Sequence, residues 1–230
     1  MNPNKIIWSE EKEKIKQLST KEKIRYIWTY FWIPIVAVIF VLGFGTFLAV
    51  RIATNIPDNW IMVNFANTNA DLGNNSKLWR DFTKKTGYDL KEKKVDFIDE
   101  SYFDYLKNQT SGNTYFNRFI TLADSGKLDA ITMENDSLAA LAQSGRLMDL
   151  DDERCTSIKK KYGERFIYYT PPKDDKDHKE PIAVGIDLSD SLLMTEYHIY
   201  TGSCALGIGA KSENINQVED FIDFVLEEDF

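Results

Sequence analysis

The chain has 230 residues and a formal net charge of −8, from 28 Lys and Arg against 36 Asp and Glu, with two Cys and two His. This composition makes a disulfide scaffold, a Cys/His zinc module and a basic nucleic-acid binder poor interpretations. We therefore expect no nucleic-acid partner, no metal and no cofactor.

The charge is unevenly distributed along the chain. Residues 1–33 hold seven Lys and Arg against four Asp and Glu, whereas residues 53–230 hold twenty against thirty-two, a net −12. Between them, residues 26–50 contain no Lys, Arg, Asp or Glu. An apolar segment thus separates a basic tail from an acidic domain.

The uncharged segment is long enough to cross a membrane once. As a helix, its twenty-five residues span about 37 Å, more than the roughly 30 Å of bilayer hydrocarbon. We predict a transmembrane helix over residues 26–52 that contacts the lipid bilayer, followed by a linker over residues 53–59. A cleaved signal peptide is the alternative, but its apolar run is usually shorter.

Positive residues near the span predict its orientation. Six Lys and Arg fall within residues 12–25, whereas Arg51, at the far end of the span, is the only base between residue 26 and Lys77. This asymmetry places residues 1–25 in the cytoplasm and residues 60–230 outside the cell. Ser19 and Glu22 fit a capping box that begins the helix.

The first part of the outer region alternates strands and helices. The predicted strands are Trp60–Phe65, Val95–Ile98 and Leu128–Met133, and the predicted helices are Ser76–Thr86, Asn113–Ser125 and Ser137–Ser144. This alternation is typical of a parallel sheet with crossover helices, so we expect an α/β fold.

The second part of the outer region is less regular. A helix over Asp152–Tyr162, a hairpin of Arg165–Thr170 with Ile182–Asp187, a strand over Cys204–Ala210 and a closing helix over Asn214–Glu227 are predicted there. The hairpin strands flank Pro171–Pro181, a charged segment that we expect to be an exposed turn.

Three stretches of the outer region resemble extracellular solute-binding proteins. These are LWRDFTKKTGYDL from Leu78, LADSGKLDAITMENDSLAALAQSGRLMDLDD from Leu122, and LGIGAKSENINQVEDFIDFVLEE from Leu206. They cover about half of the outer region in the order of that family. The resemblance implies a type 2 periplasmic-binding-protein fold with a parallel or mixed sheet, flanking helices, a return strand and a closing helix.

The chain taken as a whole also resembles a group of uncharacterised Gram-positive single-span membrane proteins that carry such a domain outside the cell. Solute-binding proteins usually have two lobes around a cleft and are longer than this outer region. We therefore expect the second lobe to be reduced or absent, which weakens the case for hinge closure on a solute.

Catalysis is not expected from this sequence. His178 lies in a charged turn and His198 in a short sheet or loop segment, and no recognised nucleophile or phosphate-binding motif is present. Cys155 and Cys204 allow either one disulfide or two buried thiols.

If the domain binds a ligand, parallel-sheet geometry places the site beyond the carboxyl ends of the strands. Loops that follow predicted strands contain Asn67, Asn69, Glu134, Asn135 and Asp187, which we name as candidate ligand-binding residues. The alternative is that these residues are ordinary turn and cap residues.

We expect a membrane-anchored protein that recognises a small-molecule solute or an envelope protein outside the cell. An anchored component that captures a substrate for a solute importer is the alternative, and an extracytoplasmic enzyme is a weaker one.

Overall fold

The computed structural model describes residues 12–13, 15–16, 18–54, 59–107, 110–171 and 180–227. The chain divides into two compact units, Met1–Pro57 and Asp58–Phe230. Most of the predicted turn over Pro171–Pro181, with His178, lies outside the described residues. So do much of the 1–25 tail and residues 55–58 of the predicted linker.

The first unit contains helix α1, Thr20–Thr54. The predicted capping box is confirmed, because the Glu22 backbone N–H donates to the Ser19 hydroxyl oxygen at 3.5 Å and the Ser19 backbone N–H donates to a Glu22 carboxylate oxygen at 3.0 Å. The Ser19 hydroxyl also donates to this carboxylate oxygen at 2.6 Å. The hydroxyl bond lowers the pKa of the Glu22 carboxyl. A local signal thus fixes where the long helix begins.

Within α1, Trp32–Val50 is long and apolar enough to cross a membrane. Its 19 residues extend about 28 Å as a helix, close to the hydrocarbon thickness of a bilayer. Phe40 and Val41 are 68% and 67% exposed, whereas a core helix of a soluble protein would bury such side chains. No other helix in the described ranges meets this length and composition.

The second unit alternates strands with helices through most of its length. Its elements are β1 Asn59–Phe65, α2 Lys77–Thr86, β2 Lys94–Ile98, α3 Thr114–Asp124, β3 Ala130–Met133, α4 Asn135–Leu141, α5 Thr156–Tyr162, β4 Phe166–Tyr169, β5 Ile182–Asp187, α6 Leu192–Thr195, β6 Ala205–Ile208 and α7 Ile215–Val225.

In the part of the chain that the structure describes, six strands form one mixed sheet in the order β2-β1-β3-β6-β5-β4. Strands β1, β2 and β3 are parallel, as the alternation of strands and helices predicts. Strand β6 is antiparallel to both β3 and β5, so β5 runs in the same direction as β3. The predicted hairpin forms between β4 and β5.

One face of the sheet packs against α2, α5 and α7 through an aromatic cluster. Phe65 and Phe97 contact edge to face at 5.3 Å between ring centroids, and Phe82 and Phe221 do so at 5.4 Å. Such pairs add about 0.5–1.5 kcal/mol beyond the burial of their area. The closing helix is therefore part of the core.

The other face packs against α3 and α4, and glycines let α4 approach closely. Leu138 of α4 lies over Gly185 and Gly207, where an added Cβ would overlap its side chain at Gly185 and lie 3.0 Å from it at Gly207. Because α4 follows β3 directly, this close packing fixes the position of the β3–α4 connection.

The differences from the sequence prediction include two helix starts and one additional helix. Helix α4 begins at Asn135 rather than Ser137, and the predicted helix over 152–162 begins with a 3₁₀ turn, Glu153–Cys155, before α5. Helix α6 was not predicted, since its four residues are too few to show a helical period.

Candidate functional site

A cavity of about 380 Å³ lies at the edge of the sheet where β1 and β3 end. Its lining combines the loop after β1, the residue after β3 and the segment between α6 and β6. The lining residues are Asn67, Asn69, Ala70, Glu134, His198, Ile199, Tyr200 and Thr201. Three of the five candidate residues from the sequence, Asn67, Asn69 and Glu134, are therefore brought together here.

Tyr200 joins the ends of the two parallel strands behind the cavity. Its hydroxyl oxygen lies 2.7 Å from the carbonyl oxygen of Ala66 and 2.8 Å from that of Thr132, so its single proton is shared between these two acceptors. Burial raises the pKa of Tyr200, and the negative charge of Glu134 adds to this effect. The hydroxyl thus stays protonated and holds the β1 and β3 ends together.

Asn67 has a structural role in the cavity wall. Its backbone is left-handed, with φ 60°, a conformation that Asn adopts more readily than most residues. Its side-chain amide donates to the carbonyl oxygen of Phe103 at 2.8 Å and accepts from the Phe103 backbone N–H at 3.0 Å. The amide therefore behaves as a turn-forming group that clamps a neighbouring segment.

His198 also has a left-handed backbone, with φ 52°. One ring nitrogen, Nδ1, lies 2.9 Å from the carbonyl oxygen of Met194, which can only accept, so Nδ1 carries the proton of this bond. The Nε2 atom is then the second hydrogen-bonding atom of an exposed ring that lines the cavity. A left-handed non-glycine residue costs of order 1–3 kcal/mol.

Glu134 and Asn69 present their polar groups without partners from the described residues. Glu134 occupies the cap position of α4, but its carboxylate accepts no capping bond from a described backbone N–H and forms no ion pair with a described base. The carboxylate lies beside Gly202, where an added Cβ would be 3.4 Å from Oε1. Asn69 is exposed at the same opening.

The remaining two candidates lie outside the cavity lining. The backbone N–H of Asn135 donates to the Ser203 hydroxyl at 3.1 Å. Asp187 accepts from the backbone N–H of Ser189 at 3.0 Å and from its hydroxyl at 2.5 Å, which is a local turn. Strand β6 separates the end of β5 from the end of β3 by two strand spacings, about 10 Å.

Sequence reasoning missed the segment between α6 and β6. Residues 198–201 meet the loop after β1 only through the fold, where the Thr68 hydroxyl donates to the Ile199 carbonyl oxygen at 2.7 Å across 131 residues. Neither residue carries a motif. The one local signal is the density of aromatic and histidine residues in Tyr197–Tyr200.

Cys155 and Cys204 are two separate buried thiols. Burial raises the pKa of the Cys155 thiol to about 11 and raises that of Cys204 further. Of the two alternatives that the sequence allows, the structure has the unbridged one. Neither cysteine lines the cavity.

The chain matches no protein-family model, no curated protein and no solved structure. The cavity offers a carboxylate, an amide, a hydroxyl and an imidazole nitrogen around a space of ligand size. Such a set can hold a small polar molecule by hydrogen bonds and charge.

Proposed function

We propose that this chain is a membrane-anchored recognition protein whose outer α/β domain binds a small polar ligand at the sheet edge. The observation that carries the proposal is the cavity in which Asn69 and Glu134 present polar groups without partners from the described residues. The proposal assigns recognition, and no catalysis, to this site.

Three features of the cavity support ligand binding. It lies beyond the carboxyl ends of β1 and β3, where ligands bind in sheets of this kind. Its volume of about 380 Å³ is within the usual range of small-molecule sites. Two left-handed non-glycine residues, Asn67 and His198, line it, and strained backbone often occurs at binding sites.

The resemblance to solute-binding proteins supports the same interpretation. It implies a return strand followed by a closing helix, and here β6 runs antiparallel beside β3 and is followed by α7. We propose a reduced version of the type 2 periplasmic-binding-protein fold on this basis.

The proposal places the N-terminus in the cytoplasm and the domain outside the cell, which the Lys and Arg before the span support. Native cysteines cannot report the topology, because both are fully buried. New cysteines at exposed positions can do so. An impermeant maleimide should label Lys127→Cys on intact cells and Lys12→Cys only after permeabilisation, and the opposite pattern would reject this orientation.

Ligand binding is tested by thermal unfolding of the full chain in detergent against a library of sugars, amino acids, peptides and amines. A ligand that binds the folded state raises its stability by RT ln(1 + [L]/Kd). Thr201→Trp, which fills the opening of the cavity, should abolish the shift, whereas Thr121→Trp on the exposed face of α3 should keep it.

The alternative functions predict different results when thermal unfolding is combined with experiments in cells that express the chain. If no library member shifts the unfolding temperature while crosslinking recovers an envelope protein, recognition of a protein partner replaces ligand binding. If a ligand binds and its uptake into cells requires the chain, an anchored capture component of an importer is the better description.

A further inference from the structure

We propose that the ligand of the cavity is a small organic cation that carries a primary ammonium group. This inference rests on the proposed function of the cavity, and it adds the chemical class of the ligand.

The net charge of the described lining is negative. Glu134 is its one carboxylate, and none of its lining residues is Lys or Arg. Lys77 is not among the lining residues, and its ammonium group forms ion pairs with Asp81 at 3.5 Å and with Glu196. An anionic ligand would place its charge against Glu134 without a counter-charge.

The hydrogen-bonding groups match an ammonium ion. A primary ammonium has three donors and no acceptor, so it requires three acceptors around it. The Glu134 carboxylate and the Asn69 amide oxygen are acceptors without partners from the described residues. Nε2 of His198 is a third acceptor when the ring is neutral, since Nδ1 donates to Met194.

The charge of the whole outer region acts in the same direction. Residues 53–230 carry twelve more acidic than basic side chains. A field of one sign raises the local concentration of ligands of the opposite sign and accelerates their association. A cation is therefore favoured both during approach and after binding.

Three probes of the same length and different charge test the inference. Isothermal titration calorimetry with the full chain in detergent would compare 1,4-diaminobutane, butane-1,4-diol and succinate. We expect the diamine to bind, the diol to bind roughly tenfold more weakly or worse, and succinate not to bind, because a charge-assisted hydrogen bond is about twice as strong as a neutral one. Added NaCl should weaken the diamine alone.

Glu134→Gln removes the charge and keeps the shape of the side chain. We expect it to weaken diamine binding by roughly tenfold or more, since loss of a charged hydrogen bond has this magnitude. Glu164→Gln is the matched control, because Glu164 is an exposed carboxylate outside the cavity lining. Equal diamine affinities in the two variants would overturn the inference.

Failure of the inference and failure of the proposed function give different results. If the diol or succinate binds as tightly as the diamine and Thr201→Trp removes the binding, the cavity is a ligand site of another class. If no probe binds but a library ligand without a primary ammonium group does so in a Thr201→Trp-sensitive manner, the cation class is wrong and the site stands. If neither probes nor library bind, both proposals fail.

Discussion

Asp129 offers the sharpest test of how the domain is held together. It lies directly before β3 and is 1% exposed, with no described Lys or Arg in contact. Its carboxylate accepts from the Met62 backbone N–H at 2.8 Å, from the Ser212 hydroxyl at 2.6 Å and from the Asn214 amide at 3.2 Å. One side chain thus joins β1, β3 and the start of α7.

Asp129→Ala would leave the buried donors of Met62 and Ser212 and the half-buried amide of Asn214 without their acceptor. Each unsatisfied buried donor costs about 1–3 kcal/mol, so we expect the free energy of unfolding to fall by at least about 2 kcal/mol. Asp129→Asn keeps one acceptor oxygen but turns an NH₂ group toward a donor, so we expect an intermediate loss of about 1–3 kcal/mol.

Urea unfolding of the full chain in detergent, followed by near-UV circular dichroism, measures these losses. Asp124→Ala is the matched control, because Asp124 lies on the surface with its carboxylate 3.0 Å from Arg146. Asp124 is exposed and Arg146 is partly exposed, so we expect this pair to contribute about 0–1 kcal/mol. If Asp129→Ala lowers the unfolding free energy no more than Asp124→Ala does, the hydrogen bonds of Asp129 are not the support that we describe.

Three further predictions follow from packing and ionisation. Gly209→Ala should lower the unfolding free energy by about 1–3 kcal/mol or more, because the new Cβ would overlap the Leu128 carbonyl oxygen. Gly163→Ala should change it by less than about 1 kcal/mol, because the new Cβ would only make an ordinary contact with the Lys159 side chain at 3.9 Å. Burial raises the pKa of Asp129, so the folded state holds its proton more tightly. The stability that the protonated Asp129 carboxyl contributes is fully present below its unfolded pKa of about 4. It is lost as the pH rises through the pKa of Asp129 in the folded state. Urea titrations at several pH values would measure the unfolding free energy of the native chain minus that of Asp129→Asn. This difference should decrease as the pH rises, and an increase would contradict the raised pKa. A disulfide reagent at pH 8 should modify neither thiol in the folded chain and both thiols in urea. The reason is that burial raises the pKa of Cys155 to about 11 and that of Cys204 further. Fast reaction without urea would contradict the burial of the two thiols.

Local signals in the sequence located most of the secondary structure. The Ser76 hydroxyl accepts from the Trp79 backbone N–H at 3.1 Å, and Gly87 ends α2 with φ 66°. Asn113 caps α3 through two backbone N–H groups in the same way. These signals act between residues no more than a few positions apart, so they can be read without the fold.

The candidate site was only partly accessible to the same reasoning. The rule for parallel strands led to Asn69 and Glu134, since each follows a strand that the sequence reveals. The same rule also led to Asp187, which lies outside the cavity lining. Strand β6 lies between β5 and β3, and nothing in the sequence indicates this order. His198 follows α6, an element too short to predict.

The sequence by itself determined an apolar segment of membrane-spanning length, an acidic C-terminal region and most of the order of its strands and helices, because each follows from composition or from contacts between near neighbours. Only the tertiary structure decided the sheet order and the cavity. Ala130 pairs with Ile208, and the Thr68 hydroxyl bonds to Ile199, across 78 and 131 residues. Such pairings are selected by burial of whole faces, so the residues that line the cavity become neighbours only once the sheet has formed.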